Sequence, residues 1–214
     1  MGKLYDSLLS GSSGKIGRVV VANLYGTEVL RKRPRRRTSE PTAKQNLVQQ
    51  RMISSYDFLN PYKEIAKTYY GNRVGMKSPY NLAMTNVLKA FKLDFITMEI
   101  NPVYSEIEFT KGPLMAPLPT GLTSTVASTF TIDWFDNSGG DPTREMDRLF
   151  VLFKAEDETK PILMENMATR VDATFDIPVP TAMVGKTVHV WITFISDDLT
   201  QAATSAYAGN VVIV

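Results

Sequence analysis

The chain has 214 residues, of which 24 are Lys or Arg, 22 are Asp or Glu, one is His and none is Cys. The lack of cysteine excludes disulfides, thiolate metal sites and thiol nucleophiles, and the single histidine, His189, excludes sites that need two. The charge is uneven, since residues 1–113 carry 18 basic and 9 acidic side chains and residues 114–214 carry 6 and 13. This division predicts two modules with different partners.

The N-terminal residues predict a β-hairpin. Arg18–Leu24 is rich in β-branched residues, Tyr25-Gly26-Thr27 supplies a turn, and Glu28–Arg33 forms the return strand. The residues expected to build this hairpin are Val19, Val21, Leu24, Gly26, Val29 and Leu30. Two strands alone are marginal in water, so the hairpin must pack on the rest of the chain or on a neighbouring subunit.

A basic run follows the hairpin, with six positive charges in the seven positions 31–37. We predict that it binds a partner through Arg31, Lys32, Arg33, Arg35, Arg36 and Arg37. Pro34 prevents a helix there, and repulsion between like charges keeps the segment extended. Arginine forks suit phosphate as well as carboxylate, so the pattern fits nucleic acid or an acidic protein surface, and a merely solvated segment is the third reading.

Three helices are predicted between residues 42 and 91. Thr42 and Gln45 match a capping box at the start of the first, which runs to about Leu59. A shorter second helix follows Asn60-Pro61, and Ser78-Pro79 begins a third that runs to about Phe91. The apolar stripes of these helices are predicted to be core, including Val48, Met52, Tyr56 and Leu59 on the first.

The chain then changes to a pattern of short strands. The alternation from Val103 to Phe109 predicts a half-exposed strand that closes the helical segment. Further strands are predicted at 130–134, 149–153, 171–177, 188–195 and 211–214, with turn signals between them. Short strands at this spacing predict an immunoglobulin-like β-sandwich. The fold class is therefore α+β, with a basic hairpin arm (1–41), a helical segment with a closing strand (42–112) and a sandwich (113–214).

No catalytic, cofactor-binding or metal-ligating residue is predicted, and no cofactor. His189 is expected to be a half-buried strand residue with a hydrogen-bond partner, on the same face as Trp191 and Ile195. Three acidic clusters are predicted to be solvated turns, because no calcium-loop spacing appears in them. These clusters are Asp133-Asp136-Asp141, Glu156-Asp157-Glu158 and Asp197-Asp198.

Two resemblances extend this reasoning. The Gly-x-x-Gly-Lys-Ile-Gly-x-Val-Val run from Gly11, the Arg31-Lys32-Arg33-Pro34-Arg35 run and the Asp133-Trp134-x-Asp136-Asn137-Ser138-Gly139 run resemble an uncharacterised family from Bacteroidota. That family carries no assigned activity. The C-terminal half resembles fibronectin type III and related immunoglobulin-like modules, with an early-strand Trp134 and late strands through Trp191 and Tyr207. This second resemblance implies a fold and leaves the function open.

We expect a non-enzymatic structural or assembly protein, a component of a phage particle or of a surface or filamentous structure. It would self-associate through its N-terminal arm as a homo-oligomer or within a multi-protein assembly. The alternatives are a nucleic-acid-binding protein that uses the basic run, and an adhesion or carbohydrate-binding module. We expect synthesis in the cytoplasm without a signal peptide, release with a particle as one outcome, and no membrane span.

Overall fold

The computed structural model describes residues 2–6, 10–24, 26–34 and 40–214. The chain divides into two compact units, residues 1–42 and residues 43–214. The boundary predicted between residues 112 and 113 lies inside the second unit. Among the helices of the described ranges, none has the length and apolar character needed to span a membrane.

The first unit is a four-stranded antiparallel sheet in the order β1-β4-β3-β2. Its strands are β1 (Gly2–Leu4), β2 (Gly14–Ile16), β3 (Val19–Leu24) and β4 (Thr27–Lys32). The predicted hairpin is confirmed as β3 and β4, and Val21 and Val29 are buried in it. At its turn Gly26 has a φ of +82° and donates its N–H to the side chain of Asn23, a conformation that favours glycine.

The second unit begins with a helical layer. It consists of α1 (Ala43–Leu59), a 3-10 turn (Asn60–Tyr62), α2 (Lys63–Tyr69) and α3 (Pro79–Ala90). As predicted, Ser78 caps α3 by accepting a hydrogen bond from the Asn81 N–H, with Pro79 at the first helical position. A hairpin of β5 (Phe91–Asp94) and β6 (Glu99–Pro102) follows α3.

The rest of the second unit is a seven-stranded immunoglobulin-like sandwich, as predicted. One sheet has the order β11-β8-β7 and the other the order β10-β9-β12-β13. The strands are β7 (Leu118–Thr123), β8 (Thr129–Phe135), β9 (Arg148–Ala155), β10 (Ile162–Met164), β11 (Thr174–Pro178), β12 (Thr187–Ile195) and β13 (Ala206–Val212). A short helix α4 (Pro142–Glu145) and 3-10 turns at 170–172 and 181–183 connect them.

The helical layer covers the outer face of the sandwich sheet β10-β9-β12-β13. Its two central strands, β9 and β12, are therefore buried on both faces. Alternate residues such as Val151 and Val190 pack between the two sheets. The residues that alternate with them, such as Leu152 and Trp191, face the helical layer. Trp191, for example, contacts Phe58 of α1. Burial on both faces explains the near-continuous apolar runs of these two strands.

Three expectations about local structure are wrong. Residues 103–109 form a 3-10 turn (Tyr104–Glu106) and an irregular segment. The Ile107 N–H donates to the local Tyr104 carbonyl, and the N–H groups of Glu108 and Phe109 donate to the side chains of Asn86 and Ser205, so no strand ladder forms there. The predicted α1 core stripe is largely exposed, since only Leu59 of its four residues is buried. Asp133 lies within β8, where it accepts a hydrogen bond from Thr174, and is outside any turn.

Candidate docking face of the N-terminal sheet

The register of the N-terminal sheet gathers basic side chains on one face. Lys15 is opposite Val20, which is in turn opposite Arg31. Lys3 is opposite Val29, which is two residues before Arg31 on β4 and therefore on the same side as Arg31. Residues directly opposite one another in an antiparallel sheet share a face. Lys3, Lys15 and Arg31 therefore lie on one side of the sheet, and all three are exposed.

Two further arginines extend this surface. The Arg33 N–H donates to the Arg18 carbonyl at 2.8 Å, which continues the β3–β4 ladder by one residue pair. Arg33 is two residues beyond Arg31, and Arg18, in the turn between β2 and β3, pairs with Arg33, so we assign both to the side that holds Arg31. We call Lys3, Lys15, Arg18, Arg31 and Arg33 the basic face. Its members are all exposed.

Apolar residues lie on both sides of the sheet. Val20, Ala22 and the buried Val29 are on the side of the basic face, and the opposite side is largely apolar. It carries Leu4, Ile16, Val19, Val21 and Leu30, together with Lys32 and Glu28. Lys32 is thus separated from Arg31 and Arg33, its neighbours in the predicted run. Glu28, the acidic residue within the described strands of this sheet, is also on this side and accepts a hydrogen bond from the Gly11 N–H at 2.6 Å.

The structure therefore redistributes the predicted partner-binding residues. Arg31 and Arg33 are on the basic face and Lys32 is on the other side, while Arg35, Arg36 and Arg37 lie outside the described residues. Lys3, Lys15 and Arg18 were missed, because they are isolated cations in the sequence and only strand pairing brings them to Arg31. A strand assignment for residues 2–4 and 14–16 would have revealed them.

The basic face can hold anionic groups. Neighbouring strands are about 4.8 Å apart and alternate residues of one strand about 7 Å apart, so Arg31 and Arg33 are about 7 Å apart and Lys15 is about 10 Å from Arg31. At physiological ionic strength charges interact over about 8 Å, so neighbouring cations on this face reinforce one another's field. Carboxylates on a protein surface and phosphates of a nucleic acid are the groups that such a surface attracts.

The edges of this sheet are less suited to pairing with another strand. Both sides of the β3–β4 hairpin are already occupied, by β2 and by β1. These outer strands have three residues each, with Lys15 and Lys3 at their centres. Short edge strands with lysine are a device by which proteins avoid edge-to-edge pairing. The face of the sheet is therefore its better docking surface.

The carboxylates of the acidic clusters in the sandwich mainly accept hydrogen bonds from residues of their own turns. Hydrogen bonds from local N–H and hydroxyl groups lower the pKa values of Asp136, Asp141 and Asp198. Asp198, for example, accepts from the hydroxyls of Ser196 and Thr200 at 2.6 and 2.8 Å. Within the described ranges no three His, Asp or Glu side chains are grouped so that they could hold a metal ion.

His189 is half-buried and hydrogen-bonded, as predicted. Its Nδ1 lies 2.7 Å from the Tyr207 hydroxyl, and its ring centroid is 4.1 Å from that of Tyr104. Opposite it on β9, the buried Lys154 Nζ donates to the carbonyls of Ala155 and Glu156. Burial lowers the pKa of His189 and of Lys154 below their usual values. These contacts join the sheet to the 3-10 turn at Tyr104 and have a structural role.

A cleft of about 680 Å³ lies between α3 and the segments around residues 70–77 and 108–113. Its lining includes Lys77, Lys89 and Lys111, and Lys111 is 3.6 Å from the Glu108 carboxylate. Exposed lysines on three different segments make this cleft a weaker anion site than the basic face, where one sheet fixes the spacing of the cations.

Fold and site together define a protein of the immunoglobulin-like sandwich class that carries a separate basic sheet. The chain belongs to DUF6266, a family of unknown function, whose model matches residues 11–209. The predicted resemblance to an uncharacterised family is thereby confirmed. The search of curated protein sequences found no match for this chain.

Solved structures similar to this chain include fibronectin type III domains. The fn3 domain of the human collagen alpha-1(XX) chain has 10% identity and a TM-score of 0.34, over 45% of this chain and 84% of that chain. The fn3 domain of human contactin 1 has 10% identity and a TM-score of 0.33, over 49% and 83%. The FN1–FN3 domains of chicken CNTN1 have 8% identity and a TM-score of 0.33, over 49% and 33%.

Proposed function

We propose that this chain is a non-enzymatic structural protein that joins a larger assembly by docking its basic face onto the acidic sandwich of another copy. The observation that carries this proposal is the grouping of five exposed cations on one side of a sheet that forms its own compact unit. A phage particle, a surface structure or a filament is the kind of assembly in which such a subunit would serve.

The sandwich has the charge that this docking requires. Residues 114–214 hold 13 acidic and 6 basic side chains, and two of the basic ones, Lys154 and Arg170, are buried. Of the acidic ones, Asp147 is buried. The exposed surface of the sandwich is therefore more acidic than the composition alone indicates.

Docking of one surface onto a different surface of the next copy is a head-to-tail arrangement. Such contacts generate closed rings or open filaments, according to whether the rotation between copies closes. Electrostatic complementarity of this kind speeds association and selects the partner more than it adds affinity. The affinity between copies should therefore fall as salt is added.

Reversal of charge on the basic face tests the proposal. We expect full-length protein to show a mass in light scattering that rises with concentration and falls with added salt. Lys15→Glu/Arg31→Glu should abolish this behaviour. Lys32→Glu/Lys160→Glu, which changes the net charge equally at exposed positions off the basic face, should retain it. Wild type that remains monomeric at every concentration would overturn the proposal.

Nucleic acid is the second candidate partner, favoured by the three arginines among the five residues of the basic face. Arginine pairs with phosphate through two parallel hydrogen bonds. This function predicts binding to labelled single-stranded or duplex oligonucleotides whose affinity falls steeply with salt and is lost in Arg18→Ala/Arg31→Ala/Arg33→Ala. Binding that is absent or insensitive to salt would remove this candidate.

A further inference from the structure

A second, chemically different surface lies on the helical layer. The exposed stripe of α1 consists of Val48, Met52, Ile53 and Tyr56, with exposures between 41% and 61%. Val48, Met52 and Tyr56 share one face of the helix, because residues four apart lie one above the other, and Ile53, three residues before Tyr56, widens that face. Helix faces of this composition are normally turned to a core or covered by a partner.

A groove begins at this stripe. It has a volume of about 570 Å³ and is lined by α1, α3 and β5. Val48, Leu88, Leu93 and Phe95 provide its apolar lining, while Arg51, Lys89 and Lys92 provide its charge. Lys92 is engaged by Glu106 at 2.6 Å, so Arg51 and Lys89 are the cations that can face an occupant.

Arg51 adds a guanidinium to the charged lining of this groove. Its Nε is buried and makes no hydrogen bond to the described residues. The guanidinium of Arg51 and the ammonium of Lys89 both pair well with a carboxylate. The groove therefore suits a segment that is apolar at its tip and carries a carboxylate beside it.

The turn of the β5–β6 hairpin, which we call the knob, has this chemistry. Ile96 at its tip is 93% exposed, and Phe95 and Met98 beside it are 45% and 40% exposed. Asp94 accepts hydrogen bonds from the N–H groups of Ile96 and Thr97, so the shape of the knob is set before any contact is made. Glu99, opposite Asp94 in the hairpin, adds an exposed carboxylate.

We infer that a second copy of this chain occupies the groove, with the knob of each copy inserted into the groove of the other. Phe95 belongs to both surfaces, so knob and groove are adjacent within one copy. A two-fold axis near this residue brings the knob of each copy to the other's groove, which is the self-complementary geometry of a two-fold dimer. The apolar tip of the knob meets the apolar lining, and Glu99 meets Arg51 or Lys89.

This dimer is independent of the head-to-tail docking through the basic face, and salt separates the two. At about 1 M salt charges are screened beyond roughly 3 Å, whereas burial of apolar side chains persists. Sedimentation analysis of the full-length protein at that salt concentration should therefore still show a concentration-dependent dimer. A failure of the basic-face proposal leaves this result unchanged.

Substitutions identify the contact. Ile96→Asp should weaken the dimer by about tenfold or more, since a buried apolar anchor is lost, with an unchanged circular dichroism spectrum because Ile96 makes little contact within its own copy. Val126→Asp, at an apolar position of the sandwich that is 61% exposed, is the matched control and should leave the dimer intact. At low salt, Lys89→Glu and Glu99→Lys should each weaken it, and their combination should restore it.

Other occupants give different results, and each overturns the inference. A protein that stays monomeric, or a dimer unaffected by Ile96→Asp, excludes a second copy. A monomer in which Ile96→Asp changes protease cleavage within residues 1–42 places the chain's own arm on the groove. A monomer that binds vesicles of anionic phospholipid, and loses them with Ile96→Asp, makes the knob a lipid contact.

Discussion

Loss of the buried ion pair at one end of the sandwich should strongly destabilise the second unit. Arg170 and Asp147 have side-chain exposures of 1% and 3%, and the guanidinium reaches the carboxylate at 2.8 and 3.1 Å. Arg170 also donates to the Asn137 side chain and to the Met115 carbonyl, and it lies 4.2 Å from the centre of the Phe194 ring. One side chain thus joins the segment before β7, the turn after β8 and the start of β9.

Arg170→Met removes this network and leaves the Asp147 carboxylate buried without its partner. The cost of such an uncompensated charge is about 3–5 kcal/mol of unfolding free energy. Arg170→Met/Asp147→Leu should recover much of it, because apolar residues of similar volume often replace a buried pair at little cost. The unfolding free energy lost in Arg170→Met therefore measures the cost of the unpaired Asp147 carboxylate. The difference between wild type and the double variant measures what the ion pair itself contributes.

Urea unfolding followed by circular dichroism measures both variants. With a slope near 2 kcal/mol per molar, a loss of about 4 kcal/mol lowers the midpoint by roughly 2 M. Arg148→Met is the control: the Arg148–Asp197 pair has the shorter distance of 2.6 Å but side-chain exposures of 33% and 59%, so its loss should cost at most about 1 kcal/mol. Equal midpoint shifts for Arg170→Met and Arg148→Met would refute the reasoning, as would a double variant no more stable than Arg170→Met.

Two further predictions concern the same unit. Because burial holds the pKa of His189 below its usual value, the unfolded chain takes up this proton first as pH falls below about 6.5. The unfolding free energy should decrease there, and His189→Gln should remove that part of the decrease in urea unfolding at two pH values. Gly112→Ala should cost about 3 kcal/mol or more, since an added Cβ would lie 2.0 Å from the Ala202 carbonyl oxygen; thermal unfolding measures the loss.

The His189→Gln and Gly112→Ala predictions each need a control. Carboxylates also titrate as pH falls, so the difference between wild type and His189→Gln is the relevant quantity. A difference that does not vary with pH would contradict the assignment. For Gly112 the matched change is Gly2→Ala, because an added Cβ there meets no atom within 4 Å. A Gly112→Ala protein as stable as Gly2→Ala would show that the Ala202 backbone moves aside without cost.

Sequence patterns predicted those helices and strands whose own residues favour the structure that they have in the fold. The β3–β4 hairpin has β-branched strands and a glycine turn, and α3 has Ser78-Pro79 at its start. The strands β9 and β12 appear as apolar runs because both of their faces are covered, so no register is needed to recognise them. Where a short strand contains Pro119 and Gly121, as in β7, the local signal is lost and only pairing with β8 defines it.

The candidate sites show the limit of pattern alone. An apolar stripe on a helix indicates that something covers it, and in α1 the sequence does not say which of two adjacent stripes meets the core. Leu47 and Phe58 are buried, while Val48 and Met52 are exposed. Neighbouring positions on a helix differ by about 100°, so the packing of α1 against α3 and β5 decides the outcome.

By itself the sequence determined the charge of each half, the lack of cysteine, the hairpin and the sandwich class, because composition and short-range periodicity are properties of neighbouring residues. Only the tertiary structure decided which cations act together. Lys3, Lys15 and Arg31 are distant along the chain, and strand pairing brings them to one face, while the pleat sends Lys32 to the other side. Direction and proximity of side chains depend on register, and register is set by contacts between segments far apart in the chain.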